Sequence, residues 1–155
     1  MIDLFSKKLS GKVMIMGVGN MLRGDDGAGP YLINQLETQV NAALLDCGEV
    51  PENFIGKIAE IHPDHIIIID AVDLRADPGV VAILDDGEFV STGWSTHHAS
   101  LKLFIDCLKA DTGSNVLVIG IQPKSTDFGS EMSAEVKETT VLLQQIILKA
   151  LGSGQ

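Results

Sequence analysis

Gly17-Val18-Gly19-Asn20-Met21-Leu22-Arg23-Gly24-Asp25-Asp26-Gly27-Ala28-Gly29-Pro30 follows the apolar run Val13 to Met16 and precedes Leu32, Ile33, Leu36 and Val40, which keep helical spacing. This pattern reads as a buried strand, a glycine-rich turn and a helix. The turn carries two adjacent carboxylates, Asp25 and Asp26, near a helix N-terminus, where negative charge opposes the positive end of the helix dipole. Open α/β sheets keep their chemistry at this place, outside the carboxyl ends of the strands.

Residues 1–11 form a short lead-in to a first strand over Lys12 to Val18. Downstream of the turn, Ala42 to Leu45 predicts a second strand ending in Asp46. Pro51-Glu52-Asn53 then opens a helix with Phe54, Ile55, Ile58 and Ile61 on one face. In His65 to Ala71, four consecutive isoleucines give the non-alternating, β-branched pattern of a strand covered on both faces, so this strand is expected at the centre, with Asp70 closing it.

The next apolar run, Val80 to Leu84, follows after a short stretch containing Asp77-Pro78-Gly79. A parallel crossover needs a dozen or more residues, so this strand is expected to be antiparallel. Asp85 to His98 is polar and irregular and holds the single tryptophan, Trp94. Ser100 to Leu108 has helical spacing in Leu101, Phe104, Ile105 and Leu108, and Asn115 to Ile121 reads as a strand ending at Gln122-Pro123. Glu131 to Leu151 predicts a long last helix through Val136, Val141, Leu142, Ile146 and Leu151. The sum is an α/β fold: a three-layer sandwich around a mostly parallel five-stranded sheet with one antiparallel strand.

The chain of 155 residues is read as one domain, 1–155, long enough for its own core. A formal charge of −10 and 5% aromatic residues argue against nucleic acid and anionic membranes as partners. The charge also predicts that a protein partner offers a locally basic patch and associates in a salt-dependent way. Cys47 and Cys107 are too far apart for a CxxC zinc site and read as reduced core residues. No signal-peptide pattern or membrane-length apolar run is present, and the expectation is a soluble, cytoplasmic protein.

Among chemistries, a dinucleotide fingerprint fails on spacing: the third glycine of G-x-G-x-x-G would be residue 22, which is Leu22, and Asp25 and Asp26 would repel a pyrophosphate. The phosphate-loop pattern and the Gly-x-Ser-x-Gly nucleophile elbow are both missing, and Cys47 has no evident base beside it. A carboxylate following four isoleucines, as Asp70 does, is partly desolvated and requires a cation or hydrogen-bond donors. His97 and His98 precede a helix expected to start from the same sheet edge, so an imidazole can be lowered over the acidic turn and Asp70. Two carboxylates and one imidazole suit zinc, nickel or a similar divalent ion, with open positions for water or substrate. From the residues alone, the choice between Asp25 and Asp26, and between His97 and His98, stays open. His62 and His65 fall at the start of the third strand, the wrong edge, and read as surface or structural residues.

The stretch Gly19 to Pro30 resembles the signature of the nickel-iron hydrogenase maturation endopeptidases, especially the type serving hydrogenase 3 and formate hydrogenlyase. The likeness continues in Asp46-Cys47-Gly48 with Pro51-Glu52-Asn53, in Ile69-Asp70-Ala71-Val72-Asp73, in Ser95-Thr96-His97-His98 and in Gly120-Ile121-Gln122-Pro123. The resemblance implies a three-layer α/β peptidase that removes a C-terminal peptide from the precursor of a hydrogenase large subunit once nickel is inserted. It also implies a metal site at Asp26, Asp70 and His97, the nickel arriving with the precursor.

Cleavage would use a water nucleophile activated by a carboxylate or a metal. Asp26 and Asp70 are the catalytic candidates, with Asp25 or Asp46 as alternative bases. A non-catalytic nickel-binding chaperone or sensor that inspects the same precursor is the competing reading.

Overall fold

The computed structural model describes residues 9–84 and 96–152, except for the side chains of residues 96–100. Five strands, β1 (Val13–Gly17), β2 (Ala43–Asp46), β3 (His65–Ala71), β4 (Val81–Leu84) and β5 (Asn115–Ile121), form one sheet in the order β2-β1-β3-β5-β4. All pairings are parallel except β4 with β5, where Val81 faces Ile121 and Leu84 faces Val118. The isoleucine run is central, flanked by β1 and β5, and the short connection into β4 gives the antiparallel edge strand expected from its length.

Among the described residues, four α-helices cover the sheet: α1 (Ala28–Leu36), α2 (Ile55–Ile61), α3 (Thr96–Thr112) and α4 (Ala134–Leu151). Successive strand residues point to opposite faces, which splits the core in two. Ile66 and Ile68 of β3 join Met14, Met16 and Val118 against Ile58 of α2 and Leu101, Phe104, Ile105 and Leu108 of α3. Ile67 and Ile69 join Ile15, Ile119 and Ile121 against Leu32, Ile33 and Leu36 of α1 and Val136, Leu143 and Ile147 of α4. The three-layer expectation holds. Among the described residues, no helix is long and apolar enough to cross a membrane.

Several local expectations are corrected. Helix α1 stops at Leu36, so Val40 lies beyond it, in a bridge with Gly152. Pro51–Phe54 is a 3-10 turn leading into α2, not its first α-helical turn. The long last helix begins at Ala134, capped by the Ser133 side chain, and its buried face is Val136, Thr139, Thr140, Leu143 and Ile147. Val141 and Leu142, expected inside, are exposed. The two threonines can take inner positions because Thr139 Oγ1 donates to the Gly79 and Glu135 carbonyls and Thr140 Oγ1 to the Lys137 carbonyl. Cys107 is exposed on α3; only Cys47 is a core residue.

Candidate active site

The acidic turn is fastened to both neighbouring strand ends. Val18 N donates to the Ile69 carbonyl (3.0 Å) and Gly19 N to the Gly48 carbonyl (2.8 Å). Gly19 has φ +140°, and a Cβ there would fall on the Asp26 carbonyl oxygen, so the chain can fold back on itself only with glycine here. At Gly29 a Cβ would strike the Ile69 carbonyl, which lets α1 start directly against β3. Asn20 Oδ1 accepts from Leu22 N at 2.8 Å, and Asn20 N donates to Asp26 Oδ2 at 2.8 Å. One carboxylate oxygen of Asp26 therefore closes the turn, while the partly exposed side chain leaves Oδ1 without a hydrogen bond among the described residues.

Asp70 is the next-to-last residue of β3, opposite Gly120 of β5, and is 2% exposed. Its Oδ1 is buried with no hydrogen-bond partner among the described residues. Burial first, and then the negative charge of Asp26, hold the Asp70 carboxyl well above the usual carboxylate range; a hydrogen bond with the Ala71 backbone works in the other direction. The negative charge of Asp26 is thus felt at the Asp70 carboxyl, and a proton or a cation there would relieve the repulsion. By strand alternation, Asp70 faces the same side as Ile66 and Ile68, the side covered by α3.

His97 and His98 lie in the first turn of α3, not in a loop before it. Residues 85–95 of the expected irregular stretch, Trp94 included, and the His97 and His98 side chains lie outside the described residues. Since α3 leads into β5, which runs parallel to β3, the beginning of α3 belongs to the sheet edge where β3 ends. His62, at the C-terminal cap of α2, and His65, at the first residue of β3, are at the opposite edge. Among the described residues, no group of three or more His, Cys, Asp and Glu side chains could hold a metal ion; Asp26 and Asp70 are a pair.

The alternative bases have other duties. Asp25 is 1% exposed and its carboxylate is fully occupied: Oδ1 accepts from Ser133 N (2.7 Å), and Oδ2 accepts from Ser133 Oγ (2.9 Å), Lys124 N (2.8 Å) and Ser125 N (3.3 Å). It is a latch between the acidic turn and the segment after β5. Asp46 Oδ1 accepts from Gly48 N at 3.0 Å and shapes the turn after β2. Burial, helped by Asp46, pushes the Cys47 thiol up to about 12, so it holds its proton and is no nucleophile. Gln122 is a second latch: its Oε1 accepts from Leu74 N (2.6 Å) and Ala76 N (3.3 Å), fixing the chain that leaves Asp70.

A carboxylate pair at the carboxyl edge of a mostly parallel sheet is suited to activating water for hydrolysis. The profile of the hydrogenase maturation protease family matches residues 30–150. The chain belongs to this family. Hydrogenase 3 maturation protease of Escherichia coli K12 is 34% identical over 144 residues, covering 91% of this chain and 92% of its own. A putative hydrogenase maturation protease of Methanocaldococcus jannaschii is 36% identical over 136 residues, covering 81% of this chain and 80% of its own. The crystal structure of the [NiFe] hydrogenase maturation protease HycI from Thermococcus kodakarensis KOD1 superposes with a TM-score of 0.86 at 34% identity, covering 97% of both chains. This maturation protease is accordingly an endopeptidase, and the fold carries the family's architecture from the acidic turn through to α4.

Proposed function

We propose that this endopeptidase removes the C-terminal peptide from the nickel-loaded precursor of a nickel-iron hydrogenase large subunit, in the cytoplasm, with Asp26, Asp70 and His97 closing on the nickel that the precursor carries. The observation that carries this reading is the buried Oδ1 of Asp70, without a partner among the described residues and beside a second carboxylate. Such a pair is poorly matched to water and well matched to a cation. Two carboxylate oxygens and an imidazole form a borderline donor set that suits nickel and would also accept zinc. Docking on nickel makes recognition of a loaded precursor and alignment of its cut bond a single event.

Hydrolysis requires a base for the attacking water. Asp26 is partly exposed at the mouth of the site and takes that proton; Asp70 is the buried charge that the cation neutralises. Family membership among peptidases favours cutting over inspection by a non-catalytic chaperone. The test is to incubate the protein with nickel-loaded and nickel-free precursor and to weigh the large subunit. Loss of the C-terminal peptide only from the loaded form is expected, and an unchanged mass within an intact complex would overturn the reading.

A further inference from the structure

Large apolar side chains gather on two loops beside the site. Met21 is 51% exposed, Leu22 64% and Phe128 72%. Leu22 and Phe128 are far apart in sequence, but their loops are joined where Gly129 N donates to the Leu22 carbonyl at 2.8 Å. Neither loop is loosely held. Asp25 N donates to the Ser125 carbonyl (3.0 Å), the Asp25 carboxylate binds Lys124, Ser125 and Ser133, and Ser130 Oγ donates to the Asp127 carbonyl (2.7 Å) on the other side of Phe128. Surface loops fastened this firmly carry apolar side chains already arranged for contact, so little ordering cost remains when a partner covers them. Methionine and aromatic residues are also the types enriched at the centres of interfaces.

The patch is continuous with the catalytic turn. Met21 and Leu22 lie between Asn20, whose N–H holds the Asp26 carboxylate, and Asp26 itself. On its other side Met21 lines a cleft of about 450 Å³ with Tyr31, Met132 and Lys137. This patch therefore borders the turn that holds Asp26 and lies within reach of a polypeptide whose cut bond is placed there.

We propose that Met21, Leu22 and Phe128 form the seat for an apolar segment of the precursor polypeptide next to the cut bond. The seat rests on the functional reading above and specifies which surface of this chain the substrate covers. It supplies binding common to the ground and transition states, so its loss raises KM and spares kcat.

The test is steady-state processing of the nickel-loaded precursor, with Leu22→Ser, Phe128→Ser and the double variant compared with Leu142→Ser on α4, which is exposed but away from the site. Each single variant is expected to raise KM about tenfold and the double variant more, with kcat within about twofold and thermal melting unchanged. Leu142→Ser should keep the KM of the parent. A double variant with the KM of the parent, or one whose loss lies in kcat, overturns the seat alone. Sedimentation showing a dimer of this chain that the double variant disperses also overturns it, because the patch would then be a face between copies. A parent protein that cuts no nickel-loaded precursor overturns the functional reading and the seat with it.

Discussion

Ser133 grips Asp25 twice, its N–H donating to Oδ1 at 2.7 Å and its hydroxyl to Oδ2 at 2.9 Å. The same hydroxyl accepts from Val136 N at 3.3 Å and caps α4. The helix cap and the turn that carries Asp26 are thus one hydrogen-bonded unit, and the carboxylate at its centre is nearly out of reach of solvent. Of the two adjacent acids, Asp25 is buried and hydrogen-bonded through both oxygens, whereas Asp26 is partly exposed and bonded through Oδ2 alone among the described residues.

Asp25→Ala removes the acceptor for four donors and leaves the N–H groups of Lys124, Ser125 and Ser133 without it. Unmade hydrogen bonds to a buried charged group are costly, and the expected loss is about 3 kcal/mol, read as a lower midpoint in urea unfolding. Asp25→Asn keeps one carbonyl acceptor and should fall between the two. A midpoint for Asp25→Ala equal to that of the parent would contradict the latch.

Asp70 predicts an inverted response to pH. Its folded pKa is raised, so the stability it allows is fully present below the unfolded value of about 4, where both states hold the proton. As pH climbs through that range the unfolded chain sheds its proton first, and stability is lost until the folded pKa is passed. Asp70→Asn has no proton to lose. In metal-free buffer it should melt higher than the parent at neutral pH, the gap closing in acid, while processing disappears. Calorimetric melts across the pH range check this, and equal melting at all pH values would remove the strain assigned to Asp70.

The architecture was legible where local pattern and connection length decide it. The isoleucine run could only be a strand covered on both faces, and the brief path from Asp70 to Val80 could only return antiparallel. The place and burial of Asp70 at the end of β3 were legible from the isoleucine run that it closes. Asp25's role was not, because its partners lie 99 to 108 positions away and no spacing rule connects them. The face of α4 was misread for a related reason: an apolar count favours Val141 and Leu142, whereas Thr139 and Thr140 go inside once their hydroxyls find carbonyls.

The two cysteines should behave oppositely toward an alkylating reagent. Cys107 is exposed, while Cys47 is buried and its thiol is pushed up to about 12. Iodoacetamide at pH 8 should modify the peptide containing Cys107 and leave that containing Cys47 untouched unless the protein is first unfolded. Cys47→Ala should keep processing within about twofold of the parent while costing roughly 1 kcal/mol of stability for the lost packing. Abolished processing in a folded Cys47→Ala protein would reopen the case for a thiol nucleophile.

His97 separates the metal account from one in which the carboxylates act alone. With only Asp26 and Asp70 in reach, the described residues provide two side-chain ligands, and capture of nickel requires a third. His97 stands in the first turn of α3, the helix packed over the face toward which Asp70 points. His97→Ala should abolish processing of the nickel-loaded precursor and weaken its complex with this protein at least tenfold, by about 1.4 kcal/mol or more, with the melting temperature unchanged. His98→Ala should keep both functions. If His97→Ala cuts and binds normally, nickel is not held by this residue, and the pairing of Asp26 with Asp70 must be explained by proton sharing alone.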